Sequence, residues 1–252
     1  DRESVTEHLL SAASSKTRLI TFSHITSSTA LIFPAAEICA AARERGIATF
    51  VDGAHAPGQI PVDLDAINAD FYVGNCHKWL CAPKGSAFLH ARTEHHAMLD
   101  ANVLSWGYAA GTDEQSGFDD FLGKTLFERR MQWQGTRDIS AWLAVPAALD
   151  FQRKNDWPAL QVRSHALAKM ALDVLTERFG TQPIAGDEDW AQMVAIPLPP
   201  QDPELLRKRL YEESHIEVPV TTHGNQTFLR VSVQSYNTLA DIERLLAAPA
   251  LN

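Results

Sequence analysis

The chain has 252 residues, 45% of them hydrophobic, with 22 Lys and Arg against 31 Asp and Glu for a net charge of −9. That acidic balance argues against nucleic acid as a partner, and no apolar run is long enough to cross a bilayer, so no membrane role is expected. Cys39, Cys76 and Cys81 are odd in number and lack the paired spacing of a disulfide framework, which points to a reducing, cytoplasmic compartment.

In chain order, Ser4-Val5-Thr6-Glu7 reads as a capping box opening a helix to about residue 14, and residues 1–15 are too polar for a secretory leader. A strand is expected at 18–24. Pro34 and Gly46 then bracket a helix at 35–45, with the Pro-first, Gly-last asymmetry of helix ends. Residues 48–51 and 70–73 are short apolar runs rich in β-branched and aromatic residues, the pattern of buried parallel strands. The intervening 57–69 is too long for a hairpin and suits a crossover. A third apolar segment follows at 86–90. Such alternation predicts an α/β fold around a mostly parallel sheet.

Residues 106–123, rich in Gly and acids, are expected to loop near the site. A helical stretch over 139–179, with a break near 156–158, leads into a small α+β unit at about 181–252. There the pattern reads strand (192–196), helix (203–214), a half-buried antiparallel pair (217–220 and 227–233) and a closing helix (239–247). The expected division is a large domain over 1–150, then a linker helix and small C-terminal domain over 151–252.

The chemistry concentrates where these strands end. Asp52 closes one strand and Lys78 follows the next, so both fall on the carboxyl rim of the sheet, where open α/β sheets place their ligands. A carboxylate there suits the nitrogen of a pyridoxal phosphate (PLP) ring, which works as an electron sink only while protonated. A lysine on the other side suits the aldehyde and a proton-carrying role at a substrate α-carbon. Lys78, flanked by Asn75 and His77, fits better than Lys84 in its Pro-Lys-Gly turn. His55, one loop turn beyond Asp52, would bond the ring hydroxyl or lie against the ring.

Each residue also has a plainer reading. Asp after a strand is commonly a turn residue or a cap, and His77 with Lys78 reads equally as a surface pair. His55, His77, His95 and His96 lack the i, i+4 spacing with a third ligand that zinc sites use, so no metal is expected. A nicotinamide enzyme is disfavoured by the absence of a Gly-x-Gly-x-x-Gly turn between strand and helix.

DGAHAPG at 52–58 followed by NCHKW at 75–79 closely resembles the class V aminotransferase family of fold-type I PLP enzymes, in its isopenicillin N epimerase-like branch. The resemblance implies Asp52 as the pyridinium partner, His55 near the ring hydroxyl, Asn75 and His77 on the phosphate side, and Lys78 as the Schiff-base lysine. SHITSSTALIFP at 23–34 is similar to the segment that contacts the cofactor ring, with Ser27 where many relatives carry Asn. WQGTRD at 133–138 resembles the segment whose threonine, here Thr136, reaches the phosphate of the other subunit, which implies a homodimer. LRVSVQSYNT at 229–238 resembles the late strand whose arginine, here Arg230, grips a substrate carboxylate. A guanidinium suits that task as a planar bidentate fork.

The expected activity is a PLP-dependent change at the α-carbon of a small amino acid, by epimerisation, transamination or elimination. Persulfide chemistry is not expected, because no cysteine lies downstream of Cys81. Relatives carry a sizeable portion ahead of the segment where this chain begins, supplying a phosphate loop and a ring-stacking side chain. Nothing before Arg18 does either job, so a shortened chain with weakened cofactor binding is expected. The alternative is a non-catalytic or cofactor-deficient descendant of the same fold acting as an interaction protein.

Overall fold

The computed structural model describes residues 2–105, 123 and 125–252. Its first half runs α1 (Arg2–Ser11), β1 (Leu19–Ser23), α2 (Ala35–Glu44), β2 (Ala48–Asp52), α3 (Leu64–Ile67), β3 (Phe71–Asn75) and β4 (Ala87–Ala91). The four strands form one sheet in the order β1-β2-β3-β4. β1, β2 and β3 are parallel, with Phe22 beside Val51 and Val51 beside Tyr72, and β4 runs antiparallel to β3. The fold is thus α/β with a mostly parallel sheet, as the alternation of segments predicts.

The sequence dictates how α2 packs. Ala35, Ile38, Cys39 and Ala42 fall at i, i+3, i+4 and i+7, and all four are buried against Phe22, Val51 and Tyr72 of the sheet. Gly46, at φ +68°, releases the chain into β2. The crossover to β3 contains only the four-residue α3, capped by Asp63, which accepts from the Ala66 N–H at 2.9 Å. The first helix differs from its expected start, since Ser4 lies inside α1 and its carbonyl accepts from His8. A box at Ser4 and Glu7 therefore does not open that helix.

The second half contains α4 (Leu126–Gln132), α5 (Ser140–Leu143), α6 (Val145–Lys154), α7 (Trp157–Phe179), β5 (Met193–Leu198), α8 (Pro203–Ser214), β6 (Val220–His223), β7 (Gln226–Ser232) and α9 (Leu239–Leu246). The expected break falls at Asp156, whose φ of +45° separates α6 from α7. The expected loop at 106–123 lies, except for Gly123, outside the described residues. β5, β7 and β6 form an antiparallel sheet in that order. The strand expected at 217–220 runs instead from Val220 to His223, because a tight turn at Gly224, φ +57°, pairs His223 with Gln226.

All six residues of β5 are buried, because both of its faces are covered. Val194, Ile196 and Leu198 pack with Ala168, Leu172 and Leu175 of α7, while Met193 and Ala195 pack with Ile25, Ala56 and Trp79 from the first half. The second of these cores joins the two sheets. Hydrogen bonds reinforce the joint at one corner, where Trp157 Nε1 donates to the Gly58 carbonyl at 2.8 Å and Gln161 Nε2 donates to the same carbonyl at 2.9 Å and to that of Gln59 at 3.1 Å. The buried Gln59 side chain donates to the His55 carbonyl at 2.9 Å and accepts the Gln192 N–H at 3.1 Å.

At the opposite end of the strands, Asp70 accepts the Thr49 N–H at 2.8 Å and hydroxyl at 3.0 Å, and His95 Nε2 lies 2.7 Å from its other oxygen. Burial alone would raise the Asp70 carboxyl, but the bonds from His95 and Thr49 outweigh it and hold the group below its ordinary value. Its stabilising effect is therefore full above the unfolded value of about 3.9 and is lost as pH falls through the lower folded one. Asp70→Ala strands the Thr49 donors, and urea unfolding at pH 7 should show a loss of about 1–3 kcal/mol that shrinks below about pH 4.

Candidate active site

The site is built from two loops on the carboxyl rim of the larger sheet. Beyond Asp52, Gly53 continues the ladder by donating to Val73 at 2.7 Å. A Cβ on Gly53 would fall 2.2 Å from the Tyr72 ring, so only glycine lets the chain pass there. Asp52 Oδ1 accepts the Ala54 N–H at 2.9 Å, a local turn that orients the carboxylate. Behind it, the buried His24 Nδ1 meets the Tyr72 hydroxyl at 3.0 Å. Burial lowers His24 to about 4, and burial together with Asp52 raises Tyr72, so both are neutral at pH 7.

The second loop joins β3 to β4. Cys76 and Ser86 close it with a backbone bond at 3.0 Å, and His77 Nδ1 lies 3.0 Å from the Ser86 carbonyl. Within it, Lys78 Nζ comes 3.3 Å from His55 Nε2, and Trp79 Nε1 donates to His55 Nδ1 at 3.4 Å. Cys81 turns the chain back at φ +68°. The two loops touch at Gly58, φ +85°, where a Cβ would sit 2.4 Å from the Trp79 carbonyl oxygen.

From the smaller sheet, β7 contributes Arg230. Its Nη1 donates to the Ser27 carbonyl at 2.7 Å and to the Ser27 hydroxyl at 3.0 Å, while its buried Nε has no hydrogen-bond partner. His55, Lys78 and Arg230 line one cavity of about 490 Å³ together with Trp79, Cys81 and Tyr236. Asp52 and Asn75 line a larger, neighbouring cavity of about 960 Å³ between the open sheet face and the segment carrying α4 and α5.

The expected residues thus divide into groups. His55, Lys78 and Arg230 meet in one cavity, with Ser27 bonded to the arginine. Asp52 and Asn75 border the adjoining space, and Asp52 acts electrostatically on both Lys78 and His55. His77 faces the base of its own loop. Thr136 is exposed and lines neither cavity.

Electrostatics prepares these groups for proton transfer. Burial lowers Lys78, with Arg230 adding to the effect and Asp52 opposing it. Burial lowers His55 to about 4, helped by Lys78 and Arg230 and opposed by Asp52. Around neutral pH the imidazole is uncharged, and the amine gives up its proton more readily than an exposed lysine. Elsewhere, Asp70, Glu94 and His95 bring ligand atoms within 4.8 Å of one another. Arg92 lies 2.5 Å from Glu94 and 3.6 Å from Asp70, so the cluster is a charge network with its own cation.

Four contributors carry no assignment from the sequence alone. Trp79 stands inside the NCHKW motif, where its indole N–H was the available signal. Gln59 and the pair of His24 and Tyr72 act through contacts made only in the fold, with no local pattern to mark them.

The α/β fold with its mostly parallel sheet is that of the fold-type I PLP enzymes. The class V aminotransferase model matches residues 1–245, and the chain belongs to that family, whose members are PLP-dependent. It is 41% identical to isopenicillin N epimerase of Streptomyces clavuligerus over 98% of this chain and 63% of that protein. It is 39% identical to the Amycolatopsis lactamdurans epimerase, with the same coverage, and 32% identical to putative L-cysteine desulfhydrase 1 of Oryza sativa subsp. japonica over 93% of this chain and 51% of that one. The chain therefore spans about half to two thirds of the length of these relatives. Among solved structures, the apo cysteine desulfurase of Thermococcus onnurineus NA1 superposes with a TM-score of 0.72 at 21% identity, covering 91% of this chain and 58% of that one, a likeness of fold.

The Gly58 contact is a direct probe of how the two loops depend on each other. Gly58→Ala forces a side chain into a left-handed turn against rigid backbone, and should cost about 1–3 kcal/mol in thermal unfolding. The same variant should weaken PLP binding, read by absorption titration.

Proposed function

We propose that this chain carries the cofactor and substrate groups of a PLP-dependent enzyme working at the α-carbon of a small amino acid, in an epimerase-type reaction. The observation that carries this reading is the convergence of the Lys78 amine, the His55 imidazole and the Arg230 guanidinium on one cavity. Identity of 41% to an epimerase over 98% of the chain favours epimerisation over amino transfer. Elimination is the second reading, supported by the 32% identity to a cysteine desulfhydrase.

The residues fit the cofactor. Asp52 commits Oδ1 to Ala54 and retains Oδ2 for a ligand, and the buried Arg230 Nε is a donor awaiting an acceptor. When bound, PLP supplies a protonated ring that draws electrons from the substrate α-carbon. Asp52 holds the proton on the ring nitrogen, and its turn with Ala54 keeps the carboxylate from swinging away. His55 would serve the ring hydroxyl, and Asn75 and His77 the phosphate side. Lys78 would hold the cofactor through its amine and, once freed by the incoming substrate amine, would serve as the base at the α-carbon, a task helped by its lowered proton affinity. Arg230 grips the substrate carboxylate, held in place by Ser27. Thr136, exposed on the segment after α4, is assigned to the phosphate of a second subunit in a cytoplasmic homodimer.

An absorption titration with PLP tests the assignment. The visible band should form with the native chain and be absent from Lys78→Ala, while a band of equal strength in the variant would overturn the role of Lys78. With a responsive amino acid, deuterium exchange at the α-carbon should fall by about 10²–10⁴-fold in that variant. Arg230→Ala should raise the substrate concentration needed by about 10–100-fold, the worth of a lost charge-assisted pair.

A further inference from the structure

The donors around His55 determine which of its nitrogens carries the proton. An indole N–H donates and has no lone pair to accept, so Nδ1, 3.4 Å from Trp79 Nε1, is the bare nitrogen. Burial, the largest cause, lowers His55 to about 4 and leaves it neutral at pH 7, so its single proton sits on Nε2. Nε2 lies 3.3 Å from Lys78 Nζ. An ammonium cannot accept that proton, whereas a free amine offers one lone pair for it. With a charged lysine, Nε2 would have to accept, the ring proton would move to Nδ1, and it would confront the indole N–H.

We propose that Trp79 is a positioning residue that fixes the Nε2–H tautomer of His55 and through it disfavours the ammonium form of Lys78. The inference deepens the role proposed for Lys78 and rests on it for its purpose, though the tautomer is a property of the chain alone. Other ionisable groups facing the amine act in both directions. Asp52 favours the ammonium and Arg230 the free amine, while Cys81 and Tyr236 line the same cavity. The orientation also sets what the cavity receives, because Nε2–H presents a donor that suits an anionic oxygen or an imine nitrogen rather than another N–H.

The test uses the protein without added cofactor. Nitrogen-15 NMR of histidine-labelled protein at pH 7.5, with His55 assigned by its loss in His55→Gln, should show Nδ1 at a pyridine-like shift and Nε2 at a pyrrole-like shift, where ~7.5 is chosen to lie well above the imidazole titration. The reverse pattern would overturn the proposal, and this measurement needs no folded Trp79 variant. Trp79→Phe keeps an aromatic ring and removes the N–H. In it the two tautomers should mix, and the pH midpoint for reductive methylation of Lys78 should rise by about one unit. An unchanged midpoint in a variant with native circular dichroism would also overturn it. Failure of PLP to bind in the titration above would sink the enzymatic reading and leave the tautomer result standing, so the two failures are separable.

Discussion

The corner at Gly58 and Gln59 joins the two sheets by hydrogen bonding at a point where neither residue brings apolar bulk. Two carbonyls there receive the Trp157 indole and the Gln161 amide from α7, while the Gln59 side chain reaches the His55 carbonyl on one side and the Gln192 N–H on the other. A buried amide left without such partners costs about 1–3 kcal/mol, so each bond holds the others in place. The loop carrying His55, the long helix and the entry to β5 are thereby fixed together. Together with the apolar core of Ile25, Ala56, Trp79, Met193, Ala195 and Phe228, this corner holds the smaller sheet, and with it Arg230, against the larger one.

On that frame, the charges are arranged by short local devices. Asp52 is oriented by the N–H two residues on, and the space behind it is occupied by the neutral pair of His24 and Tyr72. Both of these are neutral at pH 7, and the Asp52 charge acts on the amine of Lys78 and the imidazole of His55 in front. Arg230 is anchored through a single nitrogen, which leaves the rest of its fork available to a ligand. Burial then lowers the proton affinity of Lys78 toward neutral pH and keeps His55 uncharged there.

Much of this was legible in the sequence because it rests on local pattern. The i, i+3, i+4, i+7 apolar positions of α2, the apolar runs of β2 and β3 and the Gly at position 46 are encoded within a few residues of where they act. The motifs DGAHAPG and NCHKW disclosed the family and the loops that approach each other. What was illegible depends on distant partners. The register of β6 is set by the turn at Gly224 and by its pairing with β7, and Ser4 is absorbed into α1 because the helix already runs from Arg2. Gln59 looks like an ordinary loop glutamine until α7 and β5 close around it, and Trp79 looks like core until its N–H is traced to His55.

Arg230 and Ser27 meet across 203 residues of chain, one of the longest separations bridged by any hydrogen bond described above. Contacts so far apart carry a loop-closure cost, and β7 supplies Phe228 to the core between the sheets and Leu229 and Val231 to the core under α7, so both cores wait for it. In chain order Asp52, His55 and Lys78 all come well before Arg230. The cavity that gathers His55, Lys78 and Arg230 is therefore complete only once β7 has paired with β5.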